Sequence, residues 1–487
     1  MSFPKGGYWP AWAVVVLVGA AYFVRLTDSP GFSGDEAHIL EPAYQFSQTW
    51  TMSCPAFGPA HHHNEVWIYQ APLHVALAGL VLRIAPLSLA TLRTLSVLLA
   101  VACGALLVLL LRNLKASGWA TAVGVALLMA DPLTVSRARE FRYDFLAMAF
   151  FLLSLLIGMR RSIRLAVLSG AAAGLAVSSY AGYLILAPAA LGWSVFRRPG
   201  AGRRLRWAVV WCVGFAIGVL PFAARAAMHF TAFRDQFIWQ AAYLAGPPMT
   251  LAEHLGAELG KFLVLYRYAP LFPLIGLASV GLLLARRRQL HGRRRREAIR
   301  TLNLACLCFA LISATSGHRP WYHLVVLPSL ALCGALAFDI IPRIRARAPA
   351  VAGLVVASLG TLGVAPRLYA ATRAGGMRDP LMFDEELSQL VPTGSRVHGD
   401  YTLWFIARRH HWAFTMEAYQ NDSVEAIVAS APQYLIENPA RPTHVRTSSA
   451  RMWETIRPLS SDDSRFSHKL PSQLAPHLFV YRYRPAN

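Results

Sequence analysis

Polar and apolar positions along this chain come in blocks rather than in alternation. Long, predominantly apolar runs cover residues 10–26, 71–86, 91–111, 118–135, 144–159, 165–179, 180–196, 207–224, 263–285, 299–316, 323–341 and 350–366. A helix of roughly 20 apolar residues, with a range of about 17–25, crosses a bilayer core about 30 Å thick. The pattern therefore predicts a multi-span α-helical membrane protein. After residue 366 it changes to mixed charge and short pieces. Phe383–Leu390 reads as a helix, Arg396–Gly399 as a strand after a Pro-Thr-Gly turn, and Ser423–Ser430 as a helix. Tyr434–Ile436 and His477–Tyr483 read as strands. The expected division is a transmembrane domain, 1–366, and a small α/β domain, 367–487.

Charge decides how many runs span. Charged residues make up 15% of the 487 residues, against about 25% in soluble domains, which excludes an ordinary soluble enzyme. The hydrophobic content excludes a disordered chain. Lys and Arg outnumber Asp and Glu 47 to 25, a net +22. Basic residues collect in cytoplasmic loops, and the clusters Arg160–Arg164, Arg197–Arg206, Arg286–Arg300 and Arg343–Arg347 mark four of them. Counting back from these puts Arg112–Lys115 inside and 136–143 outside. The run 71–86, short and carrying Arg83, must then begin and end outside, as an interfacial helix. About eleven spans remain, with the amino terminus inside and the C-terminal domain outside the cytoplasmic (inner) membrane. On this topology 22 basic residues lie in inside loops and 14 in the C-terminal domain. The excess charge is thus a record of topology, and no nucleic-acid partner is expected. The short neighbours 165–179 and 180–196 predict tilted or broken helices around a cavity. The six cysteines show neither a disulfide framework nor a zinc spacing.

Candidate chemistry gathers in the outer segments. Asp35 and Glu36 follow the first run closely. Paired carboxylates there suit a general base and a cation ligand, and equally a helix start with Ser33 or Asp35 as cap. Segment 136–144 carries Arg137, Arg139 and Arg142 on the side where basic residues are scarce, then Asp144. Arg forks match phosphate oxygens; the alternative is snorkelling to lipid headgroups. His318, Arg319 and Tyr322 stand between two later runs and suit a phosphate beside a sugar or isoprenoid, or an aromatic interface belt. Arg267, between two tyrosines, is a further cavity candidate. The run His61-His62-His63-Asn64-Glu65 offers metal ligands, of which His62, His63 and Glu65 are the candidates, although consecutive histidines point in different directions. No phosphate-binding Gly-rich loop, zincin motif or Ser nucleophile elbow is present.

The order and spacing of Ser33–Tyr44, Tyr69–Ile84, Leu92–Leu111, Arg139–Leu156 and Gly317–Leu332 resemble the GT-C superfamily of polyprenyl-phosphate-sugar glycosyltransferases, the branch of protein O-mannosyltransferases and the lipid A aminoarabinose transferase. The resemblance covers most of residues 10–340. It implies eleven to thirteen spans, an interfacial helix in the first outer loop and an active site facing the periplasm or exterior. Asp35 matches the family's catalytic acid, Glu36 is its neighbour in the motif, and Asp144 matches a second acid near the cavity. Two stretches depart from the family. Gln70-Ala71-Pro72 stands where Lys-Pro-Pro or His-Pro-Pro is common, and Tyr180-Ala181-Gly182-Tyr183 stands where a Lys is common.

The resemblance implies transfer of a sugar from a polyprenyl-phosphate donor to an acceptor hydroxyl on an envelope glycolipid, glycan or protein. Asp35 is then the expected base, with Glu36 and Asp144 beside it. Arg139, Arg142, Arg267, His318, Arg319 and Tyr322 are the expected substrate contacts. A divalent metal ion is the one cofactor this reading admits. The competing reading is a lipid-linked-glycan flippase or transporter. Such proteins place ionisable groups inside their spans, whereas the acids here concentrate outside them.

Overall fold

Four of the helix starts below fall where the sequence offers a side-chain cap. The helices are α1 (Trp9–Phe23), α2 (Gly34–Thr49), α3 (Pro72–Ile84), α4 (Leu89–Leu114), α5 (Gly118–Met129), α6 (Pro132–Ala138), α7 (Asp144–Gly158), α8 (Arg164–Ser179) and α9 (Ala187–Val195). They continue with α10 (Ala201–Met228), α11 (Phe230–Ala245), α12 (Leu271–Arg286), α13 (Gly292–Thr315), α14 (Leu327–Ile340) and α15 (Ala348–Gly363). The computed structural model describes residues 7–245, 266–315, 324–341, 348–374, 381–416, 432–437, 453–460 and 477–483, apart from scattered positions inside those ranges. Ser33, Ser88 and Ser117 open α2, α4 and α5 by accepting from the amide three residues on. Asp131 opens α6 by accepting from the Leu133 amide at 2.9 Å, with Pro132 at the first position.

By length and composition, α4, α10 and Ala348–Tyr369 suffice to cross a membrane. The pair α5–α6, bent by 63° at Ala130–Asp131, makes a fourth. The other apolar helices among the described residues have 10–17 residues. At 1.5 Å per residue, 15 residues reach only about 22 Å. The chain expected to break near 180 does so: α8 stops at Ser179, Tyr180 is extended, and a 3-10 stretch Ala181–Leu186 leads into α9.

The crossing of α8 and α10 is made by glycine. Gly170 and Gly174 of α8 face Gly214 and Gly218 of α10, and a Cβ at any of the four would overlap backbone of the opposite helix. Small residues spaced by four let two backbones approach within a bilayer. Ser178 Oγ donates to the Gly218 carbonyl at 2.8 Å across the same seam. Gly214→Leu should therefore lower the thermal midpoint of the detergent-purified protein, by roughly 1–3 kcal/mol of overpacking.

Three of the basic clusters meet at one end of the bundle. Arg197 Nη2 reaches Glu297 at 2.6 Å and Arg300 Nη1 reaches it at 3.1 Å. Arg198 donates to the Gly158 carbonyl at 2.9 Å. Gly158 ends α7, and Asp144 begins it at the opposite end of the bundle.

At the Asp144 end, two distant stretches build one core. Ala37, Leu40, Phe57 and Trp67 pack in a single cluster with Leu387, Val397, Trp404, Phe405 and Phe414. The buried carboxylate of Glu41 fastens them together: the Trp404 indole N–H donates to Oε2 at 2.6 Å, and Arg408 Nε donates to it at 3.1 Å. The C-terminal strands are β1 (Arg396–Gly399), β2 (Ala413–Met416), β3 (Tyr434–Glu437), β4 (Trp453–Ser460) and β5 (His477–Tyr483). They form one sheet in the order β2-β1-β3-β5-β4. β1 runs parallel to β2 and β3, while β5 runs antiparallel to β3 and β4.

The expected strands at 396–399, 434–436 and 477–483 and the helix near 383–390 are present. The helix expected at Ser423–Ser430 lies outside the described residues. β2, β4 and the short helix Trp404–Arg409 were not expected from the sequence pattern. β4 holds Pro458, which lacks a ladder donor and is tolerated because β4 is an edge strand.

Candidate active site

The site begins where the first helix ends and the second begins. Ser33 accepts from the Glu36 amide, and Glu36 Oε2 accepts from the Ser33 amide at 3.0 Å, a reciprocal capping box. Glu36 is fully buried. Its oxygens also take Arg93 Nε at 2.9 Å, Arg93 Nη2 at 2.8 Å and the Phe141 amide at 2.8 Å. Arg93 Nη1 goes on to the carbonyls of Leu26 and Pro30, at 2.9 and 2.8 Å. Arg139, also buried, donates to the carbonyls of Tyr22, Val24 and Arg25 at 2.8, 2.8 and 3.0 Å. The last carbonyls of a helix have no partner within it, and the two guanidinium groups supply donors to the chain leaving α1.

These contacts revise two expectations. Arg139, expected at a phosphate, is spent on backbone carbonyls. Glu36, expected among the catalytic acids, ties α2, α4 and the 139–143 segment together with both oxygens engaged. What the segment offers to the site comes instead from its neighbours. Arg142 Nη1 pairs with Asp35, and Arg142 Nε donates to Asp144 Oδ2 at 2.8 Å. Arg137 Nη1 lies 4.0 Å from Asp35 and 2.5 Å from Glu140. The result is a chain of alternating charge: Asp144, Arg142, Asp35, Arg137, Glu140.

Exposure singles out one member. The Asp35 side chain is 45% exposed, whereas the other four lie between 8% and 11%. Partial burial works to raise its pKa, but Arg142 and Arg137 outweigh burial and hold the carboxyl well below the usual range. Burial raises the pKa of Glu140 despite Arg137 and Arg142. Arg142, where Asp144 and Asp35 overcome burial, stays firmly charged. The arrangement presents one ionised carboxylate, held between two guanidinium groups.

Of the three metal candidates the structure brings two together, His62 and Glu65. His63 is buried, 5.7 Å from the Phe57 ring and 5.1 Å from the Trp67 ring, and burial pushes its pKa down to about 3. His62 faces Glu65 at 3.5 Å and Asp235 at 3.8 Å, on the exposed side. Among the described residues no three His, Cys, Asp or Glu side chains are arranged to hold a metal ion. Arg267 is exposed and follows Tyr266, whose hydroxyl donates to Asp131 at 2.9 Å. His318, Arg319 and Tyr322 lie outside the described residues.

Two residues, Glu140 and Arg93, were not among the candidates read from the sequence, although each had a signal. Arg137 and Glu140 stand three apart, a spacing that brings side chains together along a helical turn. Arg93 is a charge just inside an apolar run, and such a charge requires a partner.

No family model matches the chain, and no curated protein matches its sequence. Its structure does have neighbours. ArnT from Cupriavidus metallidurans, in a crystal structure bound to undecaprenyl phosphate, matches with a TM-score of 0.63 over 96% of this chain and 97% of its own. The fold is of the GT-C type. The sequence identity to that ArnT is 16%, and its apo crystal structure matches with a TM-score of 0.62 at 17%. The cryo-EM structure of the mycobacterial arabinofuranosyltransferase AftD matches with a TM-score of 0.56 at 14% identity, over all of this chain and 40% of its own. At such identities the likeness concerns the GT-C fold. ArnT and AftD differ in length, and this chain covers nearly all of the former.

Proposed function

We propose that the protein is an integral membrane glycosyltransferase. It moves a sugar from a polyprenyl-phosphate donor to an acceptor hydroxyl at the outer membrane face. The observation that carries this reading is Asp35, the exposed anion of a buried charge chain, in a fold shared with an ArnT that binds undecaprenyl phosphate. The topology proposed is eleven spans, with α3 interfacial and the C-terminal domain outside. The gathering of the basic loops at the end of α7 remote from Asp144 supports it.

Asp35 removes the proton of the acceptor hydroxyl as the oxygen attacks the anomeric carbon. The bond from that carbon to the phosphate oxygen breaks, its electrons stay on the phosphate, and polyprenyl phosphate leaves. One displacement with one base inverts the anomeric centre. The leaving group is already a stable anion, so it needs charge stabilisation rather than a general acid. Arg142 and Arg137 supply it. A phosphate that draws on their charge also loosens their hold on Asp35, so donor binding strengthens the base. Asp144 keeps Arg142 in place, and Glu36 holds the start of α2.

Undecaprenyl phosphates carrying different sugars, incubated with the nanodisc-reconstituted protein and an envelope extract, test the reading. At least one should release undecaprenyl phosphate with the appearance of a glycosylated acceptor by mass spectrometry. Movement of intact donor across the bilayer, with no sugar transferred, would favour the flippase alternative.

A further inference from the structure

A cleft in the C-terminal domain has no part in the charge chain around Asp35. It lies where the edge strand β2 meets Pro55, the first residue of a 3-10 turn in the first outer loop. Its volume is about 210 Å³, and it is open on one side. Arg396 and Arg408 line it together with Thr415, and no acidic side chain among the described residues does. Arg396, Pro55 and Ala413 are exposed there, while Arg408 and Thr415 are half-buried, so the lining is reached from solvent. Pockets for drug-sized ligands measure about 300–1,000 Å³. The cleft suits a smaller unit, yet is roomier than a bare phosphate requires.

The two arginines differ in what they can offer. Glu41 takes Nε and Nη2 of Arg408 and balances its charge. No carboxylate among the described residues pairs with the Arg396 guanidinium. The Arg396 backbone is fixed: its amide donates to Gln433 Oε1 at 3.0 Å, and its carbonyl accepts from the Gln433 amide at 2.8 Å. A rigid strand thus presents an uncompensated cation at the cleft. Thr415 adds a donor. His398 Nδ1 lies 3.0 Å from Thr415 Oγ1, and His398 Nε2 has no partner among the described residues. Burial pushes the His398 pKa down to about 4, so near pH 7 the ring is neutral and carries one N–H. A buried donor without a partner is rarer than a buried acceptor without one, which places that hydrogen on Nδ1. Thr415 Oγ1 then accepts from His398. Its own hydrogen is left with the Val397 carbonyl, 3.5 Å away and beyond the usual O–H···O range. A guanidinium fork and a free hydroxyl donor match the oxygens of a phosphate or carboxylate. The apolar surfaces of Pro55 and Ala413 beside them suit the C–H face of a sugar ring.

We propose that this cleft is a binding site for an anionic sugar unit. Arg396 and the Thr415 hydroxyl hold its phosphate or carboxylate, and its ring lies against Pro55 and Ala413. Arg408 forms part of the wall and also holds Glu41, so the bound unit sits against the contact that fastens α2. The assignment stands on the cleft itself and not on the transfer chemistry proposed above.

The test is equilibrium binding to the full chain in phosphatidylcholine nanodiscs. The probes are glucose, a glucose phosphate, glucuronate and inorganic phosphate. Wild type should bind the glucose phosphate or glucuronate more tightly than glucose and more tightly than inorganic phosphate. Arg396→Gln should weaken that binding by about tenfold, the worth of one charge-assisted hydrogen bond, with the thermal midpoint unchanged. The variant leaves Arg142 and Arg137 in place, so any anion bound beside Asp35 is retained and does not mimic the loss. Anionic sugars that bind Arg396→Gln as tightly as wild type, or that fail to bind wild type, overturn the proposal. A fall in thermal midpoint makes Arg396 structural and overturns it as well. Inorganic phosphate that binds as tightly as the sugars reduces the cleft to a plain phosphate site. Displacement of the sugars by phosphatidylglycerol added to the discs assigns the cleft to lipid headgroups. Either of these two results overturns the sugar assignment.

Discussion

Asp35→Asn should reduce kcat for sugar transfer by about 10²- to 10⁴-fold, the usual contribution of a positioned general base. The substitution is nearly isosteric, and Arg142 keeps Asp144 as a partner at 2.8 Å, so the fold should survive. The measurement is single-turnover transfer by purified variant, with lipid binding checked separately. Transfer at the parental rate would remove Asp35 from the chemistry. The pH profile carries a second signature. In the empty site Arg142 and Arg137 keep the carboxyl below its ordinary range. It is therefore ionised throughout pH 5–8, and kcat/KM, which reports the free enzyme, should show no acid limb from Asp35 there. Bound phosphate competes for the same guanidinium groups and raises the carboxyl pKa. The acid limb of kcat should accordingly lie at higher pH than that of kcat/KM.

Arg93→Met should have the larger effect on stability. Arg93 and Glu36 are both fully buried and meet through two hydrogen bonds. Removing one partner of such a pair strands the other charge, at a cost of about 3–5 kcal/mol. It also strips donors from the carbonyls of Leu26 and Pro30. Thermal unfolding in detergent should show a clear drop in midpoint. Activity per folded molecule should fall much less than in Asp35→Asn. Asp35 and Glu36 are adjacent in sequence, and this contrast would separate the chemistry of one from the architecture of the other. A stable Arg93→Met protein with no transfer would instead put Arg93 in the site.

The sequence made the helical bundle legible because burial in lipid demands long apolar runs, and breaks such as Tyr180 show as a loss of run length. It also singled out Asp35, Arg142 and Asp144 as candidates, because charge on the less basic side of a membrane protein needs a reason, and the structure brings these three together. It did not separate them from Glu36 and Arg139. All five are charged residues near the end of a span, and only the three-dimensional path of the chain shows that Arg139 meets carbonyls while Arg142 meets Asp35. The strand β2 was missed because four residues of mixed character carry too little pattern, and β4 because its proline argues against a strand.

The fastening of α2 by Glu41 bears on how the protein is made. The partners of Glu41 lie 363 and 367 positions further along the chain, beyond every helix of the bundle. During synthesis α2, which carries Asp35, emerges long before residues 404–408, and its buried carboxylate and apolar face stay uncovered until those residues arrive. A chain that stops between α15 and Trp404 carries every described bundle helix and leaves the layer over α2 unfinished. Completion of the layer over α2 is thus coupled to synthesis through Arg408, and chains truncated before it expose the surface they fail to cover.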